Sequence, residues 1–497
     1  MPINSPEKGQ TEKHTFIETV KRQLSAGSFA GNVLTLMTGT AFAQALLILV
    51  SPILTRLYSP DDFGVFALYL SILGIISVVA CWRYQLAIVL PEKEAEAANL
   101  LAISILIAFL TAFLSFLAAA FFRHPAARLL GAPHLAPWLW FLPFSLLAGG
   151  LFQAFNYWST RRKQFKRLAA RQMTQGAVTA AAQLGLGGFS NLASGGLIGG
   201  HLLGQLTATL RLSLQIWRDE GKQILSHIKL PEIKRLLFRY KDFPLYDSWS
   251  SLLNTGSTML PALLLGYYFN PAVVGFYALG HRVLALPMSI LGGAAAQAFF
   301  PRAAEAKRAG ELDEVTLAMF RQLLQMGSVP ILLAAMLAPE LFALIFGPRW
   351  LEAGVYAQWM CLWLVFQFAS SPISSVINVL ERQRLSLLFN LIMFGGRVLA
   401  LVMGGLRQNP LLAVQLLGLV GAFMYLGYSV LILHLAKVKA AKIAATLMRV
   451  ALRSMPFLAV PLLAVYLALP AVFCVSLGII SGIFFVVYSL RITSAGG

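Results

Sequence analysis

From residue 29 onward the chain alternates long apolar runs with short polar breaks, and the runs are close to the length of bilayer spans. A helix rises 1.5 Å per residue and the hydrocarbon core is about 30 Å thick, so roughly 20 apolar residues cross it. Runs at 29–55, 63–82, 98–122, 138–158, 172–189 and 192–216 come first. Runs at 245–269, 272–300, 317–337, 353–380, 385–406 and 411–434 follow, and 454–469 and 471–490 close the chain. This predicts an all-α, polytopic membrane protein with about fourteen transmembrane helices. Ala41 and Ala43 form an A-x-A cleavage pattern, but the apolar run continues well past them, so the first helix is read as retained. The fifth and sixth runs are rich in Gly and Ala, which lets helix backbones approach closely and predicts packing inside a bundle.

The longest polar break, 217–243, falls near the middle of the chain. Within it Pro231 suits a first helical position, and Ile233, Leu236, Leu237 and Tyr240 recur opposite Lys234, Arg235 and Arg239, the pattern of an interfacial amphipathic helix. A second basic amphipathic stretch covers 435–453. The expected division is therefore a polar N-terminal segment (1–28), a first set of six helices (29–216), the basic linker (217–243), a second set of six (244–434), the second linker (435–453) and two final helices with a short tail (454–497).

Composition narrows the class further. With 58% hydrophobic and 12% charged residues and a mean hydropathy of +0.73, the chain has more apolar surface than a soluble core can hide. The formal charge of +19 does not point to nucleic acid, because the basic residues lie in short loops between apolar runs. About 30 Lys and Arg fall on the side of the N-terminus, while the opposite loops hold Arg56, Arg123, Arg128, Arg349 and Arg407. By the positive-inside rule both termini are cytoplasmic. The basic tract from Arg161 to Arg171 is a topology signal that also meets anionic membrane lipids. Cys81, Cys361 and Cys474 have no C-x-x-C spacing, and the seven histidines are scattered, so no disulfide framework, metal or cofactor is expected.

One apolar run breaks the pattern from within. The stretch 270–301 carries His281 and Arg282 about 15 Å down its helix, and an arginine at the bilayer centre costs about 2.5–3.5 kcal/mol on insertion scales. Arg397 is the other arginine placed deep in a run. Two roles fit such residues: lining a substrate cavity, or pairing with helix carbonyls or carboxylates. Arg83, Arg211, Arg302 and Arg321 lie nearer span ends, where snorkelling is the ordinary role. Of these, Arg83 and Arg211 join Arg282 and Arg397 as candidate substrate-binding residues. Asp247, at the start of the seventh run, is the candidate for ion coupling or a structural ion pair. The 270–279 segment NPAVVGFYAL also echoes SPDDFGVFAL at 59–68, with Pro60, Gly64, Ala67 and Leu68 matching Pro271, Gly275, Ala278 and Leu279, which points to two related halves.

Six segments, in order along the chain, carry a family resemblance: LTRLYSPDDFGVFALY (54–69), RYQLAIVLP (83–91), FQAFNYWSTRRKQFKRLA (152–169), FYALGHRVLALPMSILGGAAAQAFFPRAAE (276–305), IFGPRWLEAGVYAQWM (345–360) and SPISSVINVLERQRLSLLFN (371–390). They resemble bacterial polysaccharide flippases, the Wzx-like branch of the multidrug/oligosaccharidyl-lipid/polysaccharide exporter superfamily. The resemblance implies two six-helix lobes around a central cavity, two extra C-terminal helices, and transport by alternating access in the bacterial inner membrane. It implies a polyprenyl-pyrophosphate-linked oligosaccharide as substrate, flipped from the cytoplasmic to the periplasmic leaflet for O-antigen, capsule or exopolysaccharide, with a polysaccharide polymerase and chain-length regulator as possible partners. Arginine suits the pyrophosphate, since its planar fork donates to phosphate oxygens. Many relatives carry Glu where this chain has Gln85, so a cation-binding role for that Glu has no counterpart here.

Two other readings stay open at this stage. A drug or small-molecule exporter of the same superfamily would favour an apolar cavity with carboxylates and few arginines. A membrane enzyme of glycan assembly would present catalytic carboxylates or large soluble loops, whereas Asp61 with Asp62 and the cluster at Glu92, Glu94 and Glu96 look like solvated surface, and no H-E-x-x-H, G-x-S-x-G or P-loop occurs. The protein is therefore read as a transporter rather than an enzyme. Without a P-loop there is no built-in ATP drive.

Overall fold

The computed structural model describes residues 29–189, 192–287, 293–467 and 469–495, so the expected N-terminal segment 1–28 lies outside the described residues. All regular elements among them are helices. The first six are α1 (Phe29–Leu57), α2 (Pro60–Ser77), α3 (Glu94–Leu129), α4 (Leu142–Arg161), α5 (Phe165–Phe189) and α6 (Ser194–His227), followed by the short α7 (Leu230–Arg239). Then come α8 (Ser248–Tyr268), α9 (Pro271–Pro287), α10 (Gly293–Ala309), α11 (Leu312–Phe346), α12 (Leu351–Ile373), α13 (Ser375–Val379), α14 (Gln383–Leu406) and α15 (Pro410–Leu435). The chain ends on α16 (Ala440–Tyr466) and α17 (Ala471–Ala495).

Among the described residues nine helical segments are long and apolar enough to cross a membrane: those of α1 to α4, α11, α12 with α13, α14, α15 and α16. The protein is a multi-pass membrane protein. The long helices that fall short of that measure are informative. Helices α5 and α6 carry glutamines and glycines, α8 a run of Ser, Asn and Thr, and α9 the His281–Arg282 pair. Such groups tolerate a membrane only where protein or a cavity surrounds them. Of the run expected at 272–300, the described residues form α9 up to Pro287 and α10 from Gly293. Helix α16 runs without a break from the second basic stretch into the expected thirteenth span.

The two echoing segments share one local structure and pack on each other. Helix α2 opens with Pro60 after Ser59, whose hydroxyl accepts from the Asp62 N–H while the Asp62 carboxylate accepts from the Ser59 N–H, a capping box. Helix α9 opens with Pro271 after Asn270, whose side-chain oxygen accepts from the Val273 N–H at 3.1 Å. A β-carbon added to Gly64 would fall on the Pro271 carbonyl, and one added to Gly275 would fall on the Pro60 carbonyl. This reciprocal contact lets the backbones of the two halves touch, as small residues do between membrane helices.

Around it a buried core joins both halves. Trp350 is fully buried, donates its indole N–H to the Thr55 carbonyl at 3.0 Å, and meets Phe63 edge-on at 4.9 Å and Phe276 at 6.1 Å. This end of the molecule is closed. The opposite end is basic and ion-paired. Arg162 bridges Glu94 (2.6 Å) and Glu220 (3.1 Å), Arg167 pairs with Asp219, and Arg235 (2.9 Å) and Arg239 (3.1 Å) reach Glu96 from α7. Glu94 and Glu96, from the cluster expected to look like solvated surface, therefore tie α3 to α6 and α7. Leu236 is fully buried, and Tyr84 donates to the Leu237 carbonyl at 3.0 Å, so α7 docks with its apolar side inward.

Candidate functional site

Arg282 sits about three turns into α9, and its guanidinium reaches toward α1, with Nη2 3.5 Å from the Leu47 carbonyl oxygen. That oxygen already accepts from the Ser51 hydroxyl at 2.7 Å, so Arg282 gains little there. On the other side Arg282 lies within electrostatic reach of His201 on α6, whose ring also meets Phe66 of α2 at 5.9 Å. Cations and aromatic groups from both halves thus converge midway between the two ends.

Arg171 is the residue that sequence reasoning missed. It closes the basic tract, where a topology role is enough to account for it, yet it is only 5% exposed, its guanidinium stacks 3.4 Å above the Phe152 ring, and it too lies within reach of His201. Its Nε is buried with no hydrogen-bond partner. The signal was present in the spacing. Arg171, Thr179 and Gln183 recur at helical intervals of eight and four and fall on the buried face of α5.

Arg397 forms a second cationic position, one helix away. It lies within reach of Tyr277 and His281 on α9, and Nη1 is 3.4 Å from the Ser257 carbonyl of α8. The sequence supplies the reason for that contact. Pro261 has no N–H to give to the carbonyl four residues earlier, which is Ser257, so the proline frees the oxygen that the arginine approaches. Among the described residues none of Arg171, Arg211, Arg282 and Arg397 is ion-paired. Arg211 stands apart from the others as an exposed side chain that donates to the Thr174 hydroxyl at 2.8 Å.

Arg83 and Asp247 are brought together with each other. Their side chains form a 2.5 Å ion pair across the two halves, at the basic end. Arg83 holds a left-handed backbone (φ 65°) after α2, and Asp247 ends a π-helical turn, Phe243–Asp247, that leads into α8. Nearby, Gln85 is buried and donates to Gln153 Oε1 at 2.9 Å, while Gln153 donates to the Ser77 carbonyl at 3.1 Å. The position where many relatives carry Glu is here a neutral amide chain.

Between α8 and α14 lies a cavity of about 590 Å³, lined on one wall by Ser251, Asn254 and Ser257 and on the other by Asn390, Leu391 and Phe394. Among the described residues no group of three or more His, Cys, Asp or Glu is placed to hold a metal.

In fold the chain is similar to solved flippases and transporters. Its fold is that of a lipid II flippase MurJ in an inward closed conformation, at a TM-score of 0.68 and 13% identity, covering 92% of this chain and 99% of the other. A multidrug resistance MATE family transporter of the MOP superfamily, inward-facing, follows at 0.59 and 16%, covering 80% and 96%. The eukaryotic MATE transporter AtDTX14 stands at 0.52 and 14%, covering 88% and 99%. No curated protein matches in sequence. Residues 53–355 match the family described as polysaccharide biosynthesis protein, and the chain, a multi-pass helical protein of flippase and transporter fold, belongs to that family.

Proposed function

We propose that the protein flips a polyprenyl-pyrophosphate-linked oligosaccharide from the cytoplasmic to the periplasmic leaflet of the bacterial inner membrane, for surface polysaccharide assembly. One observation carries the reading: Arg171 is buried, Arg282 and Arg397 are half-buried partway along apolar helices, and among the described residues none of the three has a carboxylate partner. Uncompensated cations at that depth are costly, and an anionic ligand supplies the missing charge. A pyrophosphate matches the donor geometry of guanidinium groups. A drug exporter for cationic compounds would want the opposite sign.

In this reading Arg282 and Arg171, both within electrostatic reach of His201, hold the pyrophosphate, and Arg397 meets the first part of the glycan. The Gly64–Gly275 contact closes the periplasmic end, and the Arg83–Asp247 pair closes the cytoplasmic end. Alternating access would open one of the two at a time while the other holds. The basic face lies in the cytoplasm, where anionic lipids attract it. The testing experiment is reconstitution in liposomes with a lipid-linked oligosaccharide and a reagent confined to one leaflet. Translocation without covalent change of the glycan supports the proposal. Dye efflux without lipid translocation supports an exporter instead, and a changed glycan supports an enzyme.

A further inference from the structure

The α8–α14 cavity is a feature the two halves do not share. In the first half the corresponding helices, α1 and α5, pack backbone to backbone: a β-carbon on Gly39 would run into Ala169, and one on Gly176 into Ala43. In the second half Gly256 on α8 and Gly395 on α14 border open space, and the helices part around the cavity. Its volume lies in the range of small-molecule sites, about 300–1,000 Å³.

The lining defines what fits. The side chains of Ser251, Asn254, Ser257 and Asn390 make no hydrogen bond among the described residues. In a membrane protein such groups normally find partners. They are neutral, and each asparagine amide can donate twice and accept twice while each hydroxyl does both. Leu391 and Phe394 form an apolar surface beside them. An acyl chain would leave the four polar groups unsatisfied. An anion would find no cation in the wall, since the Arg397 guanidinium is directed to the Ser257 carbonyl at its edge. A pyranose satisfies both halves of the lining: its equatorial hydroxyls match the amides and hydroxyls, and its C–H face matches the leucine and phenylalanine.

We propose that this cavity between α8 and α14 is a saccharide subsite that takes a neutral pyranose unit of the lipid-linked glycan. The inference rests on the flippase reading and adds to it a location for the sugar, distinct from the arginines that hold the pyrophosphate.

The test titrates the full chain in lipid nanodiscs, free of glycoside detergent, with a panel of methyl pyranosides (hexose, N-acetylhexosamine and 6-deoxyhexose) and, separately, with inorganic pyrophosphate. At least one pyranoside should bind, and Asn254→Leu and Asn390→Leu should each weaken it by about tenfold, as loss of one hydrogen bond to the bound sugar does. Pyrophosphate affinity and melting temperature should not fall in those variants, because neither asparagine supports a neighbour. Arg282→Ala should do the reverse, losing pyrophosphate and keeping the pyranoside. No binding from the panel at millimolar concentration overturns the subsite, as does binding that survives the double variant. Loss of both ligands with a lowered melting temperature also overturns it, by showing a structural role. Pyranoside binding of the expected sensitivity, in a protein that fails to move lipid-linked oligosaccharide in liposomes, would remove the flippase reading and leave the subsite standing.

Discussion

At the scale of single residues, Arg282 separates binding from architecture. Among the described residues its hydrogen bonding is a 3.5 Å approach to a carbonyl that already has a hydroxyl partner, so removing the side chain strands no described group. Arg282→Ala should keep membrane abundance and melting temperature while translocation is lost. Arg282→Lys should keep part of the activity, because a point charge survives and the two-pronged geometry does not. A fall in abundance and melting temperature together, of the size expected when a buried pair is broken (about 3–5 kcal/mol), would show a structural pair instead. Arg397 behaves differently, since it serves a carbonyl that Pro261 leaves free. Pro261→Ala restores an N–H that can take that carbonyl, so the loss of melting temperature caused by Arg397→Met should shrink in the Pro261→Ala background. Equal losses in both backgrounds would show that the two residues act independently, as groups without a shared partner do. The position of Arg282 and Arg397 partway along their helices was legible from their place in apolar runs. The partner of Asp247 was not, because Arg83 lies 164 residues away and only the fold brings them together. Arg171 was hidden by its neighbours, a basic tract whose topology role masked the single member that turns inward.

At the scale of elements, the two halves meet near each end of the molecule through contacts of unlike strength. The Gly64–Gly275 interlock is steric and backbone to backbone, so Gly64→Leu cannot be absorbed by a flexible neighbour. It should hold the α2 and α9 ends apart. Spin labels at Asp61 and Glu352, exposed positions in the two halves, should then report a longer distance, with translocation lost and abundance kept. An unchanged distance would place the closure elsewhere. The Arg83–Asp247 pair is weaker, because its side chains are 24% and 41% exposed and such pairs are worth about 0–1 kcal/mol. Asp247→Asn should therefore leave folding intact and shift the balance between closed and open basic ends by up to about fivefold. Exchanging the charges, Arg83→Asp with Asp247→Arg, should restore it. The helix rhythm itself was legible, since runs of the right length recur along the chain. Helix ends were less so: α6 continues past its apolar run to His227 because Asp219 and Glu220 find Arg167 and Arg162, a tertiary pairing that periodicity does not show.

At the scale of the whole molecule, the remaining question is which end faces the cytoplasm, and charge answers it as an expectation that labelling can check. The basic end carries the ion-paired arginines just after α4 and on α5 and α7, and the other end carries few. The positive-inside rule puts the basic end in the cytoplasm, so the closed end faces the periplasm. All three native cysteines are buried, which keeps the background of a thiol reagent low. Ser226 and Lys439 are exposed at the basic end, and His124 and Glu352 are exposed at the other. With an impermeant maleimide on cells whose outer membrane is permeabilised, His124→Cys and Glu352→Cys should label, while Ser226→Cys and Lys439→Cys should label only after the inner membrane is lysed. The four positions sample both halves of the chain, so the pattern tests orientation and parity together. The opposite pattern would invert the transporter and place the Arg83–Asp247 pair at the periplasmic end. A pattern that agrees in one half and inverts in the other would mean an odd number of crossings between them. The relation between the halves would then be an inverted repeat rather than the parallel one implied by the matching caps at Ser59 and Asn270.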